Sequence, residues 1–263
     1  MEFVEAKKSL GQNFLHDKNI IEKIVTSNEI TDKDLIIEIG PGKGALTREL
    51  KRFNSQIICY EIDERMRPIL SELEDDKLTV IYGDFLTRDI CLDLKDRNYD
   101  KLYIIGNLPY YITTPIIEKI INSNIDLTAM TIMVQKEVAD RFTAIPKTKQ
   151  YNSLSIYLNY FFDVQKLFIV KNNCFTPVPK VDSAVVKFVK RLEPKYIVNN
   201  EREFFKLIID AFKFKRKTLK NNLKEYDWNI IKEILIKHDY SESVRAEEID
   251  INTFVELSNN LNR

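Results

Sequence analysis

Short apolar segments that alternate with helix-like segments constrain the fold of this chain most strongly. Between residues 17 and 191, seven apolar runs have the length of a strand, and most are followed by a segment with apolar residues at helical spacing. The predicted strands are Leu35–Gly40, Gln56–Ile62, Leu78–Tyr82, Lys101–Ile105, Ala129–Val134, Val164–Val170 and Ala184–Lys190. This alternation predicts an α/β fold with a largely parallel seven-stranded sheet. The short connection between the last two strands predicts one antiparallel edge.

The pattern changes near residue 192. A polar segment that contains Pro194 follows the last predicted strand, and after it the apolar residues recur only at helical spacing. The length of 263 residues accommodates one large domain and one small domain. We therefore predict a first domain over 1–192 and an all-helical C-terminal domain over 193–263.

A glycine-rich turn follows the first predicted strand. The chain has only six glycines, and three of them stand in the turn Gly40-Pro41-Gly42-Lys43-Gly44. Glycine lets the backbone pass close to a ligand, and the helix that follows offers free N–H groups. Glu61 ends the next strand, where an acid can accept hydrogen bonds from both ribose hydroxyls of a nucleoside. An ordinary glycine turn beside an acid at a strand end is the alternative.

Polar or glycine residues end four consecutive predicted strands: Gly40, Glu61, Asp84 and Asn107. Ligands of open α/β sheets bind beyond the carboxyl ends of the strands, so this edge predicts a nucleoside cofactor site. Asp84 can accept from the exocyclic amine of an adenine, although an acid that caps the next turn is common. A phosphate-binding loop is disfavoured, because no Gly-Lys-Ser/Thr stands at the required spacing. Glu38 before the turn suits a cofactor with an amine and a sulfonium.

The segment Asn107-Leu108-Pro109-Tyr110 has the groups needed to hold the amine of a second base. The amine of adenine is a poor nucleophile because its lone pair is conjugated into the ring. Hydrogen bonds from its N–H groups to Asn107 Oδ1 and the Leu108 carbonyl favour a pyramidal nitrogen, and no strong base is required. Pro109 fixes the turn, and stacking on Tyr110 contributes about 1–3 kcal/mol. The alternative is a strand that ends in a proline turn, with tyrosines in the core.

Two later segments are candidates for contacts with nucleic acid. Phe175, before two prolines, can cover the second face of an extruded base, or it can be a core residue. Residues 187–224 contain twelve lysines and arginines against four acids, although the whole chain is neutral. From Phe212 to Lys220 aromatic and basic residues are interleaved, which suits phosphate contacts backed by hydrophobic anchoring, and a solvated helix face is the alternative. The predicted RNA-binding residues are Lys213, Lys215, Arg216, Lys217 and Lys220.

Composition argues against several other classes. The chain has only three scattered cysteines and two histidines, which argues against a zinc site and against a disulfide framework. No apolar run approaches the roughly 20 residues of a membrane span, and the N-terminus resembles no signal or transit peptide. We therefore expect a cytoplasmic protein without a metal or a membrane partner.

Taken together, the motifs Gly11–Leu15, Glu38–Gly44, Gly106–Tyr110 and Phe175–Val186 resemble the ribosomal RNA adenine N6-dimethyltransferase family. The resemblance implies a class I, Rossmann-like methyltransferase domain that binds S-adenosylmethionine, with a small helical C-terminal domain. It implies dimethylation of two adjacent adenines in the 3′-terminal hairpin loop of small-subunit (16S) rRNA, and a role in small-subunit assembly. Carried over by resemblance, the cofactor contacts are Asn13, Leu15, Gly40, Gly42, Glu61, Asp84 and Asn107, and Asn107 also lines the target site. Of these, Asn13 and Leu15 are given by the resemblance alone.

Three other functions remain open. The same family includes large-subunit (23S) rRNA methyltransferases of the macrolide-resistance type, which usually read Asn-Ile-Pro-Tyr where this chain has Leu108. A ribosome-assembly factor on the same fold would bind the particle without catalysis. A C5-pyrimidine methyltransferase needs a nucleophilic cysteine, typically after proline, whereas Cys174 follows Asn173 and Cys59 lies within a predicted strand. We expect a monomer whose partner is the small ribosomal subunit and its rRNA.

Overall fold

Buried parallel strands form the centre of the fold. The computed structural model describes residues 4–109 and 111–261. In the strand Leu35–Ile39 every residue is buried, as expected where helices cover both faces of a parallel sheet. The described strands are β1 Phe14–Leu15, β2 Leu35–Ile39, β3 Gln56–Glu61, β4 Leu78–Tyr82, β5 Leu102–Asn107, β6 Leu127–Gln135, β7 Phe162–Val170, β8 Phe175–Thr176 and β9 Ser183–Lys190.

Seven of these strands form one sheet in the order β4-β3-β2-β5-β6-β9-β7. Strands β2 to β6 pair in parallel, and β9 pairs antiparallel with β6. This confirms the predicted α/β class with a largely parallel seven-stranded sheet, and the antiparallel strand β9 lies next to the edge strand β7. From β2 the chain builds outward through β3 and β4, and then returns to place β5 on the other side of β2. The reversal of strand order between β2 and β5 opens a crevice at their carboxyl ends, where ligands of such sheets bind.

Helices follow most of the strands. Asp17 caps α1 and Asn152 caps α7, each by accepting backbone N–H groups of the first turn. The described helices are α1 Lys18–Thr26, α2 Ala45–Leu50, α3 Arg67–Leu70, α4 Ile90–Leu94, α5 Thr113–Asn122, α6 Lys136–Phe142, α7 Ser153–Phe161, α8 Glu201–Phe212, α9 Leu219–Asn222, α10 Trp228–Lys237 and α11 Ile251–Leu261.

The chain groups into two compact units. The first contains the chain up to Ala139 and Gln165–Lys190, and the second contains Asp140–Val164 and the chain from Arg191 onward. The core of the second unit includes Tyr151 and Ile156 beside apolar residues of α8, α10 and α11. The sequence pattern assigns 140–164 to the first domain, because it continues the alternation of helix and strand. The division at 192 therefore stays a prediction for the functional domains.

Three local details differ from the sequence predictions. Strand β5 continues to Asn107 instead of ending at Ile105, so Asn107 is held in the sheet. The dipeptide Thr114-Pro115 predicts a helix that begins with Thr114 as its cap, whereas helix α5 begins at Thr113 and has no side-chain cap. Strands β1 and β8 pair with each other and were not predicted, because two residues are too few to show a periodicity.

Candidate functional site

The glycine turn joins β2 to α2 at the crevice. Gly40, Gly42 and Gly44 all have positive φ, of 71°, 55° and 73°, a backbone region that other residues rarely adopt. The Gly40 N–H donates to the carbonyl of Tyr60 at 2.9 Å, which fixes the start of the turn against β3. An ideal Cβ on Gly40 would meet only the Asn107 carbonyl oxygen, at 4.0 Å. The turn therefore leaves open space between the ends of β2 and β5.

Glu61 holds the same turn from the end of β3. Its Oε2 accepts the N–H of Gly42 at 2.9 Å, and its Oε1 accepts the N–H of Asp63 at 2.8 Å. The side chain is almost fully buried. Burial raises the pKa of Glu61, and the two backbone N–H groups act in the opposite direction. Each carboxylate oxygen keeps acceptor capacity for a ligand, since an ionised carboxylate has about four lone-pair sites.

The N-terminal segment is tied to this edge of the sheet through Asp63. Gln12 Nε2 donates to Asp63 Oδ2 at 2.8 Å, and Arg65 donates to the two carboxylate oxygens at 2.9 and 2.6 Å. These partners, Arg65 above all, lower the pKa of Asp63 to about 2. The carboxylate is therefore ionised at every physiological pH and can hold Gln12 continuously.

Asn107 is oriented by the same N-terminal segment. Its Nδ2 donates to the carbonyl of Asn13 at 2.9 Å, and Asn13 Nδ2 in turn donates to the carbonyl of Gly11 at 3.2 Å. With the amide nitrogen used in this way, Oδ1 is left as an acceptor. Two residues further along the chain, the carbonyl of Pro109 accepts hydrogen bonds from the Ile112 N–H at 3.2 Å and from the Thr113 hydroxyl at 3.2 Å.

Leu108 lies between these two anchored residues. Its N–H donates to Met133 O on β6 at 3.3 Å, and its side chain is buried. Within 4–109 and 111–261 no residue donates to the Leu108 carbonyl or to Asn107 Oδ1. Two acceptors that are adjacent in the chain are therefore available to a bound donor group.

A cavity of about 720 Å³ lies over the crevice. Of the predicted cofactor and target residues, its walls include Asn13, Leu15, Gly40, Gly42, Glu61, Asn107 and Pro109. Glu38 is also part of the wall and accepts from the thiol of Cys59 at 3.6 Å. Burial raises the pKa of Glu38 to about 7, and the nearby Glu61 adds to the shift. The structure thus brings together residues that are separated by almost a hundred positions.

Leu108 is not among the described residues of the cavity wall, and three other predicted residues of the site lie elsewhere or outside the described ranges. Asp84 is not among the described residues of the cavity wall; its Oδ1 accepts the N–H of Leu86 and caps a short 3-10 turn. The ring of Phe175 is 1% exposed and packs in the core, because the pairing of β8 with β1 turns it inward beside Leu15. The expectation that Phe175 faces a base is therefore not met here. Tyr110 lies outside the described residues.

The N-terminal contacts are the part of the site that the sequence reasoning missed. Gln12, Asp63 and Arg65 were not identified, and Asn13 and Leu15 came only from the family resemblance. An ideal Cβ on Gly42 would approach the Phe14 ring to 3.1 Å, so this glycine is also required by the segment that lies against it. The only available signal was Gly11, whose φ of 62° marks the tight turn before β1.

The predicted RNA-binding residues lie in the second unit. They occupy the segment from Lys213 to Lys220, called the basic loop below, which follows the end of α8 and includes the first two residues of α9. Lys213, Lys215, Arg216, Lys217 and Lys220 are all exposed. Lys215 Nζ donates to the carbonyl of Lys149 at 2.6 Å, so the loop is fastened to the segment before α7.

No group of three or more histidine, cysteine, aspartate or glutamate side chains within 4–109 and 111–261 is arranged to hold a metal ion. In the same residues, no helix has both the length and the apolar character needed to cross a membrane.

Comparison with known proteins gives consistent relatives over nearly the whole chain. Residues 4–263 match the family model described as "Ribosomal RNA adenine dimethylase". The chain is 42% identical to a ribosomal RNA small subunit methyltransferase A of Bacillus pumilus, over 98% of this chain and 91% of that protein. It is 44% identical to the protein of the same name from Streptococcus pneumoniae, over 97% and 91%.

Solved structures show the same fold. The 23S rRNA methyltransferase ErmE superposes with a TM-score of 0.74 at 25% identity, over 95% of this chain and all of that chain. A dimethyladenosine transferase from Plasmodium falciparum also gives a TM-score of 0.74, at 27% identity, over 93% of this chain and 95% of the other.

Proposed function

The chain belongs to the ribosomal RNA adenine dimethylase family, and we propose that it dimethylates N6 of two adjacent adenines in the 3′-terminal hairpin loop of small-subunit (16S) rRNA. The methyl donor of this proposal is S-adenosylmethionine. The observation that carries the proposal is the fixed orientation of Asn107 at the edge of the cavity, with Oδ1 and the Leu108 carbonyl available as neighbouring acceptors.

The cavity residues fit the donor molecule. Gly40 leaves open space where a side chain would protrude, and Glu61 keeps acceptor capacity suited to ribose hydroxyls. The buried carboxyl of Glu38 suits a ligand that carries positive charge. When bound, S-adenosylmethionine supplies a methyl group on a positively charged sulfur, which is a strong electrophile. Asn13, Leu15, Gly42 and Asp84 are proposed as further contacts on the basis of the resemblance.

The chemistry of this chain is to position the target amine. Asn107 Oδ1 and the Leu108 carbonyl accept its two N–H groups, which favours a pyramidal nitrogen with a directed lone pair. The bond from Asn107 Nδ2 to Asn13 O prevents the amide from rotating to present its NH2 group instead. No strong base is needed, because the nitrogen becomes acidic as the new bond forms. Orientation of this kind supplies much of the rate enhancement in comparable reactions.

Tyr110 and Pro109 complete the proposed target site. The tyrosine ring stacks on the target adenine, and the proline sets the direction of the Leu108 carbonyl. Phe175 joins the stack only if it leaves the core position that it has in this structure.

The basic loop in the second unit is the proposed contact with the rRNA backbone. Residues 213–220 contain five exposed lysines and arginines and no aspartate or glutamate. Contacts of this kind add affinity without sequence specificity and are weakened by salt. The proposed partner is accordingly the small ribosomal subunit in the cytoplasm, and the chain acts on it as a monomer.

The relatives favour the small-subunit substrate over the two alternatives. Proteins named for the small subunit are 41–44% identical to this chain over almost all of it, whereas the 23S methyltransferase is 25% identical. A purely non-catalytic assembly factor would not need the oriented amide of Asn107 or the cradle of Gly40 and Glu61.

Methylation of under-methylated particles tests the proposal. The protein is incubated with S-adenosylmethionine and under-methylated small subunits or, separately, large subunits, and nucleosides are analysed by mass spectrometry. We expect dimethyladenosine only with small subunits. Asn107→Ala should abolish methylation while particle binding stays near the wild-type value, and the exposed control Asn98→Ala should leave both unchanged. Absence of dimethyladenosine in the presence of an active control enzyme would reject the proposal.

A further inference from the structure

An exposed aromatic ring lies in the middle of the basic loop. Over the described ranges, Tyr111 and Phe214 are the aromatic side chains classed as exposed, and Phe214 is 56% exposed. Tyr111 follows the proposed target-binding turn in the chain, whereas Phe214 lies in the second unit. Exposure of a phenylalanine loses the roughly 25 cal/mol per Å² that burial would give, and its ring has no polar atom to compensate. At this exposure the ring adds little to the core of the second unit and is accessible to a partner.

The backbone of Phe214 is held firmly while its ring is in solvent. The Phe214 N–H donates to Asn222 Oδ1 at 3.2 Å, and Asn222 Nδ2 donates to the carbonyls of Phe214 at 3.2 Å and Ala211 at 2.7 Å. The Lys217 N–H donates to the same Phe214 carbonyl at 2.9 Å. Helix α9, which carries Asn222, is capped by Thr218. The ring is thus presented by an ordered loop instead of a frayed helix end.

The surroundings of the ring have the charge of a polyanion-binding surface. Lys213, on the preceding position, has its Nζ 5.9 Å from the ring centroid. Lys215 is fixed by the Lys149 carbonyl and lies 3.9 Å from a carboxylate oxygen of Glu247, so part of its charge is balanced. Arg216 and Lys217 are exposed beside it. Proteins that bind unpaired nucleic acid combine such cations with aromatic rings on which bases stack.

We propose that Phe214 is a stacking platform for an unpaired base of the small-subunit rRNA, at a second contact apart from the target adenine. This proposal rests on the proposed function as an rRNA methyltransferase. The ring stacks on the base, and Lys213, Arg216 and Lys217 contact the adjoining phosphates. Asn222 is the positioning residue, because its three hydrogen bonds hold the backbone at Ala211 and Phe214.

Substitutions of Phe214 that keep or remove the π face test the proposal. Binding to under-methylated small subunits and to protein-free small-subunit rRNA is measured by titration at several salt concentrations. Phe214→Leu should weaken the affinity for both by between about fivefold and about 150-fold, the range of one base stack. It should leave the salt dependence unchanged, whereas Lys217→Ala should reduce the salt slope by about one. Phe214→Tyr should bind like the wild type.

A matched control and a direct signal complete the design. Ile209→Ser removes another exposed apolar side chain from the same unit and should not change the affinity. Phe214→Trp adds a second tryptophan to a chain that has only Trp228, and its fluorescence should be quenched by rRNA. Equal affinity of Phe214→Leu and the wild type overturns the stacking role. Loss of affinity for particles alone, with rRNA binding unchanged, also overturns it, because the ring would then contact a ribosomal protein.

The outcomes separate this proposal from the function on which it rests. Wild-type protein that binds rRNA through Phe214 but forms no dimethyladenosine would count against the proposed methylation and not against the platform. Wild-type protein that methylates normally while Phe214→Leu binds unchanged would count against the platform alone.

Discussion

Replacement of Gly106 by alanine should disturb Asn107 through the sheet. Gly106 lies in β5 directly opposite Ile39 of β2, and an ideal Cβ at this position would be 2.8 Å from the Ile39 carbonyl oxygen and 3.1 Å from Leu108 Cδ2. Ordinary close C···O contacts between strands are about 3.3–3.6 Å, so β5 must move by roughly 0.5 Å. Overpacking of this kind costs about 1–3 kcal/mol of stability.

The same substitution should also lower the rate of catalysis in the folded protein. Asn107 is the next residue, and displacement of reacting groups by about 1 Å can cost about a hundredfold in rate, so a shift of half that size predicts about a tenfold loss in kcat. In thermal unfolding, the Tm of Gly106→Ala should fall by about 2–4 °C for each kcal/mol of unfolding free energy that is lost. Particle methylation under saturating conditions measures kcat below the unfolding transition.

Ile104→Val is the matched control, since it trims a buried side chain of the same strand at a cost of about 0.5–1.5 kcal/mol. It should lower Tm while kcat stays near the wild-type value. If Gly106→Ala has the same Tm and the same kcat as the wild type, the steric reasoning is refuted. Equal loss of activity in the two variants, in proportion to their stability, would refute the link to Asn107.

Three further predictions concern the walls of the cavity. Glu61→Gln should weaken S-adenosylmethionine binding by about tenfold or more in calorimetry, because the neutral amide loses charge-assisted bonds worth about 1.5–3 kcal/mol each; unchanged affinity would contradict the role of Glu61. Gln12→Ala should lower kcat, because the N-terminal segment that orients Asn107 loses its bond to Asp63, whereas Arg65→Ala keeps that bond and should retain most activity. Glu38 is protonated in the folded chain up to a pKa of about 7, against an ordinary value of 4.5, so its stabilising contribution is complete below about pH 4.5 and is lost as pH rises to 7. In denaturant titrations the free energy of unfolding of Glu38→Gln, relative to that of the wild type, should rise by up to about 3 kcal/mol between pH 4.5 and pH 7 and stay constant above pH 7. A difference that does not depend on pH would contradict the raised pKa.

Most of the sheet could be predicted from sequence because its central strands are nearly continuous apolar runs. All seven were located, and β4 was placed at its observed bounds, since buried parallel strands have a distinct composition. The extension of β5 to Asn107 was not predictable, because glycine and asparagine are typical of turns. Only the register with β6, in which Asn107 lies opposite Met133, keeps this residue in the strand.

The candidate site could be predicted where a rule of topology applies, and not where a side chain has a local partner. The rule that ligands bind at the carboxyl ends of strands selected Gly40, Glu61 and Asn107, which all line the cavity. The same rule selected Asp84, whose carboxylate caps the adjoining turn instead. Gln12 could not be found in this way, because its bond to Asp63 spans 51 positions and depends on the path of the N-terminal segment.

Three acids near one edge of the sheet have different states, and their partners explain the difference. Asp63 has Arg65 and Gln12 as donors, and its pKa is lowered to about 2, so its charge is committed to holding the N-terminal segment. Glu61 receives two backbone N–H groups but is buried, and its pKa is raised. Glu38 is buried with the weak thiol donor of Cys59, so its pKa rises furthest towards neutrality. Asp63 and Glu61 therefore act mainly as fixed acceptors that shape the turn and the N-terminal segment. Glu38 is the residue of the cavity wall whose charge a cationic ligand can change. Comparison of the wild type with Glu38→Gln isolates the contribution of Glu38, because both proteins keep Glu61 and Asp63.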